Sequence, residues 1–376
     1  MTVLVNIGLA LDKNIGTPPH LAPPLCATRR ARRVCPTHGR SDTLGNVKNN
    51  RRNSPAQPRK RLLTPANVLK SALGIGAVGA AVAAASYKET LKFQLHEVTV
   101  PLLEPGTLPD DWDSFRLLHV SDLHMLDKQK QKQEWVAALD RLDPDLVVNT
   151  GDNLGEEDGV PGVLRALGPL LERPGVFVFG SNDYFAPRPV NPFIYLLGKK
   201  RKPSQVQLPW KGLRAAFIER GWHDASNATV EFAIDPAATG SLTSPEKIKL
   251  AIAGVDDPHH DLDDYSRIAG RPNSDADLTI GLSHSPEPRV LDRFAADGYQ
   301  LVLSGHTHGG QLCLPGGGAI VTNCGIDRSR ARGLSRWTER MWLHVTNGLG
   351  SSKYVPFRIF CRPSATLIHI VEKSAE

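Results

Sequence analysis

The chain has 376 residues, 40% of them hydrophobic and 22% charged, which is enough apolar material for one large domain or two ordinary ones. Its net charge of +6 is uneven: the first 70 residues hold 13 Lys/Arg against only Asp12 and Asp42, so the remainder is net acidic and gives no reason to expect nucleic-acid binding. Five cysteines, Cys26, Cys35, Cys313, Cys324 and Cys361, are odd in number and widely scattered, which argues against a disulfide framework.

Residues 1–65 are rich in Pro, Arg, Asn and Thr, include RRARR at 29–33 and RRNSPAQPRKR at 51–61, and show no periodicity. They read as a disordered basic tail. Residues 66–90 contain SALGIGAVGAAVAAASY, an uncharged run dominated by Ala and Gly and just long enough to enter or cross a bilayer as a helix. Arg59, Lys60, Arg61 and Lys70 precede it, so the expectation is a single N-terminal cell-membrane anchor with the rest of the chain outside the cytoplasm, or an export signal. A soluble Ala/Gly helix is the alternative reading.

Residues 91–376 form the folded domain in this reading. Strands are predicted at 116–122, 145–152 and 175–183, with helices at 132–142 and 163–173 between them, a βαβαβ unit whose right-handed crossovers bring the strand ends to one edge. Further strands at 228–234, 248–255, 277–284, 299–306, 341–348 and 364–371 predict a second sheet packed on the first, hence the α/β class. Residues 187–211 interrupt the pattern with an apolar patch, Phe193–Leu197, beside the cations Lys199, Lys200, Arg201 and Lys202. That insertion reads either as a lipid-facing cap or as a helix docked on the core.

The strong strands end in residues that bind metals. Asp122 and His124 follow the first, Asp152 the second, Asn182 and Asp183 the third, His284 a later one, and His306 and His308 the next. Residues two apart on extended chain point the same way, so DxH and HxH each direct two donors into one cavity. Oxygen and imidazole donors without thiolate suit Mn, Fe, Zn or Mg, and their number exceeds what one ion needs, which predicts two divalent metal ions. His119 reads as a residue facing the core or backing the ligands, and Gln311 as a neighbour of the second histidine pair. Asp127, Asp256, Asp257, His259 and His260 read as solvated loop charges ahead of substrate contacts.

The ordered set DxH, GD, GSND, a lone His and GHxH over residues 122–308 resembles the calcineurin-like metallophosphoesterases, in particular their membrane-associated bacterial branch of phosphodiesterases and UDP-diacylglucosamine hydrolases. LAIAGVDDP at 250–258 and the segment 344–370 carry the likeness further along the chain. The resemblance implies a four-layer α-β-β-α sandwich of two mixed sheets with the dinuclear site at strand C-terminal ends. It places Asp122, His124 and His308 on one ion, Asn182, His284 and His306 on the other, and Asp152 between them. The implied activity is hydrolysis of a phosphoester, lipid-linked or nucleotide-linked, at the membrane. A non-catalytic metal-bound scaffold and a soluble phosphodiesterase or nuclease are the alternatives. The third motif departs from the family's GNHD, since Gly180-Ser181-Asn182-Asp183 lacks its histidine. One register puts Ser181 in the ligand position and the other keeps Asn182 there with Asp183 in the catalytic place.

Overall fold

The computed structural model describes residues 65–189, 204–236 and 247–374, all within one compact unit that spans 63–376. The expected tail at 1–64 and the apolar-cationic patch at 193–202 lie outside the described residues. Helix α1, Pro65–Glu89, coincides with the expected anchor segment. No helix among the described residues is long and apolar enough to cross a membrane. Helix α1 is built mostly of Ala and Gly, which favour insertion far less than Leu or Ile. Its described side chains are exposed apart from the last turns, where Ser86 is buried, its carbonyl accepts from the Arg358 amide at 3.2 Å, and Glu89 pairs with Arg362.

Among the described residues twelve strands follow: β1 Gln94–Leu103, β2 Phe115–Val120, β3 Leu146–Asn149, β4 Gly175–Phe177, β5 His223–Asp224, β6 Ala228–Ile234, β7 Ile248–Gly254, β8 Leu278–Leu282, β9 Leu301–Ser304, β10 Gly333–Arg336, β11 Trp342–Val345 and β12 Ser364–Glu372. They form two six-stranded mixed sheets, in the orders β1-β12-β2-β3-β4-β5 and β10-β11-β9-β8-β7-β6. β2, β3 and β4 are mutually parallel, as are β7, β8 and β9, so their C-terminal ends gather on common edges. Three strands went unpredicted, β1, β5 and β10, and each is an edge strand. β1 carries Pro101, which an edge tolerates, and β5 and β10 are short and polar.

Alternation along β2 builds the layers. Leu117 joins the core between the sheets with Val148, Ile252, Ile280 and Leu303, while Leu118 points to the opposite face. That outer face is covered by α2 (Lys130–Ala137), α3 (Gly159–Leu167) and, beyond the four-residue α4 (Ser181–Tyr184), α5 (Trp210–Glu219), which supply Val136, Val163, Leu167, Leu213 and Phe217. On the far side of the second sheet, α6 (Pro288–Asp297) sets Val290, Leu291 and Phe294 against Ala253, Val302 and Leu343. The result is the expected helix, sheet, sheet, helix order.

Candidate metal centre

The loops that leave β2 and β3 are zipped together by backbone bonds from Asp122 to Gly151 (2.8 Å), from His124 to Asp152 (2.9 Å) and from Met125 to Asn153 (2.8 Å). This pairing holds Asp122 and Asp152 side by side. Across the cleft, the Gly305 amide donates to His284 at 2.9 Å, tying the loops after β8 and β9. The His306 amide then donates to both Asp122 carboxylate oxygens at 3.1 Å, which joins the two sheets at the site.

Five of the seven expected ligands, Asp122, His124, Asp152, His306 and His308, have left-handed backbone, with φ between 40° and 66°. Such conformations are uncommon outside glycine and persist only where the surroundings impose them. Here they turn the chain sharply enough to aim residues two apart inward. Gly180 serves another purpose, close approach: a Cβ there would lie 2.5 Å from Asp152 Oδ1 and 2.6 Å from the His284 ring.

The donors converge. Asp122, His124 and His308 offer ligand atoms within 4.8 Å of one another, as do Asp122, Asp152 and His284. Asp152 spans both groups, with Oδ2 at 3.5 Å from His124 Nε2 and Oδ1 at 3.4 Å from His284 Nε2. His124 Nε2 and His308 Nε2 face each other at 3.3 Å. The carbonyl of Thr150 accepts from His284 Nδ1 at 2.7 Å, leaving Nε2 buried without a hydrogen bond. Two imidazole nitrogens nose to nose and a buried orphan nitrogen beside carboxylates are what divalent cations would satisfy. His306 leans on the second group, its ring centroid 5.2 Å from that of His284.

Electrostatics agree with ligation. Burial pushes His124 down to about 4 and His306 to about 3, and holds His308 well below its ordinary value, so three imidazoles are kept neutral. Burial raises Asp122 to about 6. Burial opposes ionisation of Asp152 too, but the neighbouring His284 outweighs it and keeps Asp152 well below the carboxylate range, with His284 correspondingly raised.

At the third motif, Asn182 rather than Ser181 meets Asp152: its backbone amide donates to Oδ1 at 2.7 Å and its Nδ2 to Oδ2 at 2.8 Å. Asp183 is fully buried, and its oxygens accept from the amides of Gly180, Asp152 and Asn153 at 2.8–3.0 Å. Burial, with the Asp152 charge, pushes that carboxyl up to about 7, yet both oxygens point into the backbone. Ser181 Oγ instead contacts Asp257 at 2.6 Å.

Other expectations resolve plainly. His119 is buried between Thr150 Oγ1 and His344, at 2.9 Å from each, and backs the β3 loop. Gln311 anchors the loop after the HxH pair through the carbonyls of Val355 and Phe357. Asp127 is a surface partner of Arg165. Asp257, in contrast to the expectation of a solvated charge, is fully buried, because Ser181, His260 and the His259 amide surround its carboxylate. The sequence reading missed Arg358, a fully buried guanidinium that donates to the carbonyls of His308, Asn347 and Gly350 and so braces the His308 loop.

The profile of the calcineurin-like phosphoesterases matches residues 115–310, which covers β2 through the HxH loop. The chain belongs to that family. It is 25% identical over 303 residues to the uncharacterized metallophosphoesterase YkuE of Bacillus subtilis, covering 80% of this chain and 94% of that protein. It is 35% identical over 101 residues to phosphodiesterase YaeI of Escherichia coli, which covers 27% of this chain and 35% of YaeI. A zebrafish (Danio rerio) transmembrane protein with metallophosphoesterase domain is 26% identical over 282 residues, or 71% of this chain and 55% of that protein. As a member of this family the chain is a phosphoester hydrolase of the α/β metallophosphoesterase fold.

Proposed function

We propose that the chain hydrolyses phosphodiesters, with lipid-linked or nucleotide-linked diesters as the substrate class, using two divalent cations. The observation that carries this reading is Asp152, whose two oxygens face histidines of two separate ligand groups at 3.4 and 3.5 Å, the disposition of a bridging carboxylate. Asp122, His124 and His308 would hold one cation, and Asp152, Asn182, His284 and His306 the other. When bound, such a pair polarises the phosphoryl group and supplies hydroxide near neutral pH.

The protein's own groups do the rest. The neutral imidazoles leave their lone pairs available for ligation. Asn182 orients Asp152 through two hydrogen bonds, and Asp183 holds the β3 loop in register without facing the cleft. A cleft of about 830 Å³, lined by Val82, Ala85, Ile359 and Phe360 beside Arg332 and the Glu89–Arg362 ion pair, supports the lipid-linked half of the reading by offering apolar surface next to charged groups. Assay of the Mn²⁺-loaded protein on bis(p-nitrophenyl) phosphate, a phospholipid and a nucleotide-linked lipid tests it. Turnover that chelation abolishes is expected. Two bound metals with no turnover of any diester would favour a metal-bound scaffold instead.

A further inference from the structure

The missing histidine of the third motif leaves a chemical gap, because an alkoxide leaving group needs a proton as it departs. Neither neighbour supplies it. Asn182 is an amide already committed to Asp152, and both oxygens of Asp183 accept from backbone amides.

A different loop brings an imidazole against Ser181, the neighbour of Asn182. After β7 the chain runs through Asp257 into a short helical turn, Pro258–His260, and His260 Nδ1 lies 2.8 Å from Asp257 Oδ2 and 3.1 Å from Ser181 Oγ. Ser181 is itself 2.6 Å from the same Asp257 oxygen, so the group is keyed to the residue beside Asn182. A buried carboxylate accepts from Nδ1–H and leaves Nε2 as the nitrogen that can exchange a proton with another group. That nitrogen makes no hydrogen bond among the described residues, and the side chain keeps 13% exposure beside the Phe185 ring. His259 lies between His260 and the expected ligand His306, with ring centroids 5.1 and 4.6 Å away, so His260 stands one imidazole beyond the ligand set. His259 is the weaker candidate: its Nδ1 is buried with no partner behind it.

We propose that His260, oriented by Asp257 and Ser181, is the proton donor to the leaving group, replacing from the β7 loop the histidine absent from the third motif. The inference rests on the phosphodiesterase reading given above. In the step, hydroxide forms the new bond to phosphorus, the ester P–O bond breaks with its electron pair on the leaving oxygen, and the Nε2 proton passes to that oxygen to give the alcohol. His260 leaves the step neutral and regains a proton from solvent.

The test compares two diesters that differ in leaving group: methyl p-nitrophenyl phosphate, whose phenolate needs no proton, and glycerophosphoethanolamine, whose alkoxide does. His260→Gln is expected to lower kcat on the alkyl ester by about 10²- to 10⁴-fold while changing the aryl ester by less than about tenfold. Bound metal, measured by elemental analysis, should stay at the wild-type level. Asp257→Asn, which keeps the histidine but loosens it, should show the same leaving-group pattern in smaller degree and serves if the first variant does not fold. Equal losses on both esters, or no loss on the alkyl ester, would overturn the assignment. Wild-type protein that cleaves neither ester would defeat the phosphodiesterase reading itself, and the assignment with it.

Discussion

Gly180→Ala isolates the positioning of the centre from its chemistry. Gly180 has φ −117° and ψ 179°, extended backbone that alanine adopts freely, so the substitution adds no backbone strain. The added methyl would stand 2.5 Å from Asp152 Oδ1 and 2.6 Å from His284 Nδ1 and Cε1. Ordinary carbon-to-oxygen contacts lie near 3.3–3.6 Å, so the carboxylate and the ring must withdraw by roughly 1 Å. Both are fully packed, and such overpacking costs about 1–3 kcal/mol of stability. A displacement of that size at reacting groups costs about 10²-fold in rate. We therefore expect kcat/KM on bis(p-nitrophenyl) phosphate to fall about a hundredfold while urea denaturation shows a folded protein with a modestly lower midpoint. Activity within threefold of wild type would refute the claim that Gly180 exists to let Asp152 and His284 meet.

Asp152→Asn should lower kcat by about a thousandfold, about 4 kcal/mol of lost charge stabilisation, and elemental analysis should find less than the wild-type metal content. Metal retention should fall as pH drops through about 6, because Asp122, like His284 with its raised proton affinity, then holds a proton in the metal-free state that a cation must displace, whereas burial keeps His124 and His306 neutral to about pH 4 and 3. Equilibrium dialysis across pH 4–8 checks this, and a loss that begins only below pH 5 would contradict it. Phe294→Ala, which removes a fully buried ring packed edge-on to Tyr265 and Tyr299 at 5.1 Å, should cost about 3–5 kcal/mol in urea denaturation while leaving bound metal unchanged.

The ligand set was legible because strand ends put its members two residues apart or directly after an apolar run, a local signal. Central strands such as β3 and β8 were equally plain, since burial on both faces makes them continuously apolar. Edge strand β6 was plain as well, but the short edges were not: β5 has two residues and β10 reads GLSR, too little pattern for a period of two to register. Asp257 looked like solvated charge because its partner Ser181 lies 76 positions earlier, and Arg358 was passed over because it braces a histidine 50 positions away. Side chains whose meaning is a distant partner leave no mark in local spacing.

The order β1-β12-β2 carries a consequence for how the protein comes into being. β12 lies parallel to β1 on one side and antiparallel to β2 on the other, so the first sheet is stitched shut by residues 364–372. A nascent chain therefore carries β1 as a loose ribbon until β12 has left the ribosome. Catalytic competence should arrive abruptly at that moment, and chains cut short before Ser364 should be cleared as unfolded rather than persist as half-active fragments.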